Sequence, residues 1–125
     1  MPFFFKRGSV FKVKFIPPDR PDQPIEKFVV CLQEGKIVAK TSSFVGLILT
    51  TLKPDKPRRK YPWEVLVSPN ESRTQHGVAI ICNQIHTIPK DWIIDYAYDL
   101  SVATMEEVDQ KVLFGVGLVK IEELE

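Results

Sequence analysis

Polar and apolar residues alternate in "SVFKVKFI", which sets Phe11, Val13 and Phe15 on one face and Lys12 and Lys14 on the other. A period of two predicts a half-buried strand. It ends at "PPDRPDQP", where four prolines in eight residues exclude helix and central strand alike. "KFVVCLQ" follows as a continuous apolar run, β-branched at its centre, and reads as a strand buried on both faces. "EGKIVAKTSS" fits either a hairpin closed at Glu34-Gly35 or the start of a loop. "FVGLILTT" is a third strand. "WEVLVS" alternates again, with Trp63, Val65 and Val67 on one side and Trp63 expected to be buried. After the turn-rich "SPNESRTQHG", "VAIICNQIHTI" predicts one long last strand, bent near Asn83-Gln84 where the apolar run breaks.

Helix enters late. Thr104 with Glu107 three residues on forms a capping box, and Met105, Val108, Val112, Val116 and Val119 then recur at helical spacing. Gly115 and Gly117 weaken such a helix by about 1 kcal/mol each relative to alanine, so close packing against a sheet is expected there. Five short strands and a closing helix predict a mainly β (α+β) fold, a small and partly open antiparallel barrel, in one domain over residues 1–125.

Composition adds exclusions. The 125 residues are 44 % hydrophobic and 26 % charged, ordinary for a globular chain. Seventeen basic against 16 acidic residues leave a net charge of +1, so any nucleic-acid site has to be local. The opening "MPFFFKRGSV" is too short an apolar run for a signal peptide or a membrane span. Cys31 and Cys82 sit singly inside apolar runs, which favours buried free thiols over a disulfide. A cytoplasmic protein is the expectation from these points.

Candidate chemistry is sparse. His76 and His86 have no carboxylate or cysteine beside them at ligand spacing, and there is neither a Gly-rich phosphate loop nor a Gly-x-Ser-x-Gly elbow, so no metal or cofactor is expected. Lys53, Lys56, Arg58, Arg59 and Lys60 fall within eight positions, just ahead of Tyr61. They read either as a solvated turn stiffened by Pro54 and Pro57 or as an electrostatic rim for a single-stranded backbone or an acidic partner, with Tyr61 and Trp63 as stacking surfaces on the second reading. Thr50 and Thr51 close a buried strand, where β-propensity alone explains threonine; a hydroxyl at the rim of a barrel also points into any groove there. Lys27, at the start of the preceding strand, is placed to lie across the same groove. A hydroxyl and a cation are a minimal set for stabilising charge on a phosphate in its transition state. His86 reads as a general acid or base, or as a polar strand position needing only solvent or one hydrogen bond. Gln84 reads as a group that satisfies buried backbone or holds a loop, and is also a candidate for binding RNA or an antitoxin.

In order along the chain, "KRGSVFKVKFIPP", "EKFVVCLQ", "LTTLKPDKPRRKYPWEVLV" and "GVAIICNQIHTIPK" resemble the successive segments of the MazF/PemK family of toxin ribonucleases. The resemblance runs from about Lys6 to Leu118. It implies an SH3-like antiparallel barrel of the MazF/PemK/CcdB type with appended helices, usually a homodimer. It also implies metal-independent cleavage of single-stranded RNA, in which the 2′-hydroxyl attacks the adjacent phosphate and leaves a cyclic phosphate and a free 5′-hydroxyl. A cognate antitoxin with an acidic segment is the implied partner.

By position, the family's catalytic threonine falls on Thr50, with Thr51 beside it, and its catalytic arginine falls on Lys27. Lysine keeps the charge and loses the planar fork that grips two phosphate oxygens. The family's Arg-Gly-Asp is here Arg-Gly-Ser at Arg7 to Ser9, the proline after its arginine is Phe28, the glutamine after its threonines is Leu52, and the basic residue after its Gln-Ile is His86. Three readings therefore stand: a ribonuclease toxin of altered or reduced activity, a catalytically inactive barrel that binds RNA or protein, and a gyrase-directed toxin of the same fold.

Overall fold

The computed structural model describes residues 4–54 and 61–118. In chain order these form β1 (Ser9–Phe15), β2 (Ile25–Cys31), α1 (Gly35–Val38), β3 (Ser43–Thr51), β4 (Glu64–Val67), α2 (Pro69–Ser72), β5 (Val78–Ile81), β6 (His86–Pro89), a 3₁₀ turn (Lys90–Trp92), β7 (Ile93–Asp99) and α3 (Val102–Gly115). The strands form one antiparallel sheet in the order β4-β5-β3-β2-β1-β7, with β6 paired to β3. Because β6 pairs with β3 and leads directly through the 3₁₀ turn into β7, which pairs with β1, the sheet curls into a partly open barrel.

Among the described residues, seven strands replace the five that the pattern predicts, for two reasons. The long last strand is interrupted: β5 pairs with Leu49–Thr51 and β6 with Ser43–Gly46, while residues 82–85 leave the ladder between them. Gln84 lies in that excursion and is exposed, which goes against service to buried backbone and leaves its reading as a loop residue open. The second reason is β7, whose register against β1 shifts twice, between Val10 and Phe11 and between Lys12 and Val13. Each shift breaks the period-two pattern that announces a strand. The ambiguous "EGKIVAKTSS" segment turns out to hold the short helix α1.

Each face of the sheet carries a core. On one, Val10, Val30, Leu47, Leu49, Val65, Val67 and Ile80 pack with Met105 and Val108 of α3. On the other, inside the barrel, Phe11, Val13, Val29, Cys31, Val38, Phe44 and Ile88 pack together. Burying both faces explains why β2 reads as a continuous apolar run. Val10 joins the first core, so the start of β1 is buried on both sides although its end alternates as expected.

Helix α3 begins one turn earlier than predicted. Ser101 is its N-cap and accepts a hydrogen bond from the Thr104 amide (3.1 Å), so Thr104 stands inside the first turn rather than at the cap. The reciprocal half of the capping box comes from another element: Glu71 of α2 accepts from the Ser101 amide and from the Thr104 hydroxyl, each at 2.9 Å. At the far end, Gly115 packs as anticipated, since a Cβ there would lie 2.6 Å from the Cys82 carbonyl oxygen. Gly117 has a different reason. Its φ of +84° and the bonds Gly117 N–H to Phe114 O and Leu118 N–H to Leu113 O close the helix in a Schellman turn, and nothing crowds it. Val116 is exposed, and Val119 lies outside the described residues. Among the described residues, no helix is long and apolar enough to cross a membrane.

Candidate functional site

The β2–β3 ladder runs from Cys31↔Gly46 to Phe28↔Leu49. One step further in the same register sets Lys27 across from Thr50. Lys27 in turn pairs with Val13 on β1, and Thr50 pairs with Ala79 on β5, which pairs with Leu66 on β4. Cross-strand partners point to the same face, so Val13, Lys27, Thr50, Ala79 and Leu66 form one row on the barrel-interior face. Val13 and Ala79 are buried, whereas Lys27 and Thr50 are half-buried and keep part of their surface open. Among the described residues Lys27 has no carboxylate partner. Its neighbour Glu26 points the opposite way and pairs with Lys12 at 3.0 Å.

Thr51 faces away from this row, because successive strand residues alternate and its partner Val78 belongs to the core on the other face. Thr50 alone of the two threonines shares the face of Lys27.

His86 also points to this face, through its pairing with Gly46, the partner of Cys31. Its ring meets the edge of Phe15 (centroids 5.4 Å apart, 86° between planes), and Phe15 meets Trp92 in the same way (5.6 Å, 80°). Phe15 follows Val13 on the face of Lys27. Burial lowers the His86 pKa, and its Nε2 atom is buried with no hydrogen-bond partner. The single hydrogen bond expected for a structural histidine is therefore not made by Nε2. Phe15 and Trp92 did not enter the sequence reading of this site. The alternation of β1 put Phe15 on the right face, but only the fold brings Trp92, at the entry to β7, to the same place.

The basic segment is seen from its two sides. Lys53, just past β3, is exposed; Lys56, Arg58, Arg59 and Lys60 lie outside the described residues. Tyr61 is 39 % exposed and stacks on the half-buried Trp63 (4.8 Å, 10°). It precedes Glu64, which pairs with Ile81, whereas Lys53 follows Thr51, which pairs with Val78, so the two stand at opposite ends of β5. Glu64 is buried at 2 % exposure, and its carboxylate accepts the Tyr61 amide (3.4 Å) while its own amide donates to the Tyr61 carbonyl (3.0 Å). That turn, with Pro62 second, fixes where the basic segment re-enters the sheet.

The thiols are not candidate nucleophiles. Both are free and buried, and burial raises the Cys31 pKa and pushes Cys82 up to about 12. Among the described residues, no three His, Cys, Asp or Glu side chains gather at metal-binding range.

Comparison with known structures finds the same fold. An endoribonuclease in complex with its cognate antitoxin, from a mycobacterial species, superposes with a TM-score of 0.73 at 22 % identity, over 93 % of this chain and 98 % of that one. MazF from Deinococcus radiodurans gives 0.73 at 14 % identity, over 93 % and 99 %. The Mycobacterium tuberculosis toxin MazF-mt6 gives 0.70 at 13 %, over 90 % and 99 %. A search of individually curated proteins returns no match. The family model described as the PemK-like, MazF-like toxin of type II toxin–antitoxin systems matches residues 6–114, nearly the whole length of the chain. The chain belongs to the PemK-like, MazF-like toxin family of type II toxin–antitoxin systems.

Proposed function

We propose that this chain is an RNA-cleaving toxin, an endoribonuclease acting on single-stranded RNA without a metal, and that Lys27 and Thr50 stabilise the reacting phosphate. The observation that carries the reading is the register of β2 on β3, which, continued one step past Phe28↔Leu49, sets the half-buried Lys27, without a carboxylate partner among the described residues, across from the half-buried Thr50. In the reaction, the ribose 2′-oxygen bonds to the adjacent phosphorus and loses its proton to a base. The bond from phosphorus to the 5′-oxygen breaks, and that oxygen takes up a proton. The products are a 2′,3′-cyclic phosphate and a 5′-hydroxyl. Negative charge grows on the non-bridging oxygens between these events, where a fixed cation and a hydroxyl donor lower the barrier.

Lys53 and the basic sequence after it supply long-range attraction for the RNA backbone. The same charge suits an acidic antitoxin as partner, and solved structures of the fold include an endoribonuclease with its cognate antitoxin and a MazE–MazF complex. Homodimer formation and a cytoplasmic location belong to the same reading.

The test is cleavage of a long single-stranded RNA in EDTA by the intact protein and by Thr50→Ala. Discrete cuts with 5′-hydroxyl ends, lost in the variant, support the reading; equal cutting by both proteins overturns the site. A second reading is favoured by the lysine at position 27, which lacks the bidentate grip of arginine. On that reading the barrel binds RNA or protein without turnover, and folded protein that binds RNA and leaves it whole is the result that selects it.

A further inference from the structure

We propose that Phe15, His86 and Trp92 form a subsite for one unpaired nucleobase of the RNA, beside the Lys27–Thr50 pair. This rests on the ribonuclease reading and adds to it the element that chooses where the strand is cut.

Three side chains from three elements converge there: Phe15 from the end of β1, His86 from the start of β6 and Trp92 from the 3₁₀ turn. All three residues are half-buried, and Phe15 and Trp92 pack against the barrel core. The rings meet edge to face, which fixes their planes. Unpaired bases are held by aromatic side chains and read by hydrogen bonds to their edges. The structure sets both kinds of group at one place, with Nε2 of His86 itself buried.

The polar contact is the unusual part. Buried polar atoms are almost always hydrogen-bonded, and an exception asks for a reason. Nε2 of His86 is such an exception. Since Nε2 makes no internal bond, a half-turn of the ring about its Cβ–Cγ bond, which exchanges Nε2 with Cε1 and Nδ1 with Cδ2, breaks none at that atom. A neutral imidazole presents one donor and one acceptor, the complement of a base edge. A purely apolar residue in this position would avoid the unpaired atom altogether.

Position ties the subsite to the reaction. His86 pairs with Gly46, and Thr50 lies four residues further along β3, about 13 Å at the rise of a strand. Phe15 is next after Val13 on the same face, and Val13 pairs with Lys27. An RNA strand whose phosphate sits at Lys27 and Thr50 therefore reaches the aromatic rings with a base a short way along the chain from the cut.

Two measurements test this on the full chain. The chain has two histidines, so the imidazole resonance of His86 is resolved from that of His76 by substitution of either. Titration with each of the four ribonucleoside monophosphates is expected to shift His86 and leave His76 in place, one base most strongly. Mapping of 5′-hydroxyl ends on a random RNA pool is expected to show a base preference beside the cut that falls about tenfold in His86→Leu, the loss of one hydrogen bond. His86→Phe, which keeps a ring of similar size, guards against misfolding and is expected to lose the same preference. RNA cut by the wild type with an unchanged profile in both variants, and no nucleotide moving His86, overturns the subsite and leaves the nuclease reading intact. A nucleotide that moves His86 in a protein that cuts no RNA supports the subsite and overturns the nuclease reading. Silence in both experiments overturns the two together.

Discussion

Two lysines border the same barrel core and are used in opposite ways. Lys90 donates its ammonium to the Val38 carbonyl at 2.5 Å and lies over the Phe5 ring at 5.3 Å, where Phe5, Phe11 and Phe44 pack together. It satisfies a carbonyl at the end of α1, and its charge is committed to holding the fold. Lys27, toward the Phe15 end of β1, has no carboxylate partner among the described residues and stands across from a hydroxyl, with an unpaired histidine nitrogen on the same face. Polar groups that the fold satisfies hold it together, and those it leaves open are available to a ligand.

The sharpest way to break the comparison is at Thr50 and Lys27. Thr50→Ala is expected to lower the rate of RNA cleavage by about a hundredfold or more, the scale of losing one donor to a developing oxyanion. Lys27→Arg is expected to keep or raise it. Thermal melts of both variants should stay near that of the parent, so a large loss of stability in Thr50→Ala would assign this residue to the fold instead. Lys90→Met should do the reverse: it takes the ammonium from the Val38 carbonyl, which keeps its bonds from the Thr41 amide and hydroxyl, and costs about 1 kcal/mol in denaturant unfolding, with the cleavage rate per folded molecule unchanged.

A second contrast lies at the two ends of α3. Gly115→Ala forces a methyl against the Cys82 carbonyl and is expected to cost about 1–3 kcal/mol. Ser101→Ala removes a cap and is expected to cost about 1 kcal/mol. Denaturant midpoints rank the two directly.

The smallest effect is the dependence on pH. Burial holds the His86 pKa below that of an unfolded histidine, so between the two values the unfolded chain binds a proton that the folded one refuses. Stability should therefore fall as pH drops through the ordinary histidine range and level off below the folded value. His86→Leu should flatten that part of a melting curve measured from pH 8 to pH 5, and an unchanged slope would mean another group titrates there.

Much of the fold was legible because burial writes period into sequence. β1 alternates at its outer end, β2 reads as a doubly buried run, and Met105, Val108 and Val112 mark the buried stripe of α3. What stayed hidden was set by partners distant in the chain. The capping acid of α3 is Glu71, 30 residues before Ser101, so a search for a glutamate inside the helix found Glu107 instead. The interruption at 82–85 showed as a break in the apolar run, yet nothing local says that both halves pair with the same strand. For the site, Lys27 and Thr50 were named from their places at two strand ends and then from family resemblance, and their shared row follows only from the register. That register also separates Thr50 from Thr51, which composition and spacing treat alike.

The carboxylate of Glu71 has a consequence for how the molecule opens. It joins the first turn of α3 to the short helix after β4, and Arg7 joins Asp109 on the same helix to the segment before β1. A helix start normally frays and exchanges its amide hydrogens quickly. Here the Ser101 amide is protected by a group on a different element, so its exchange should track the release of α2 rather than local fraying. The helix, the β4–β5 connection and the N-terminal segment are then one cooperative unit, which lets go of solvent-shielded hydrogens together on a slower timescale than any one of them would alone.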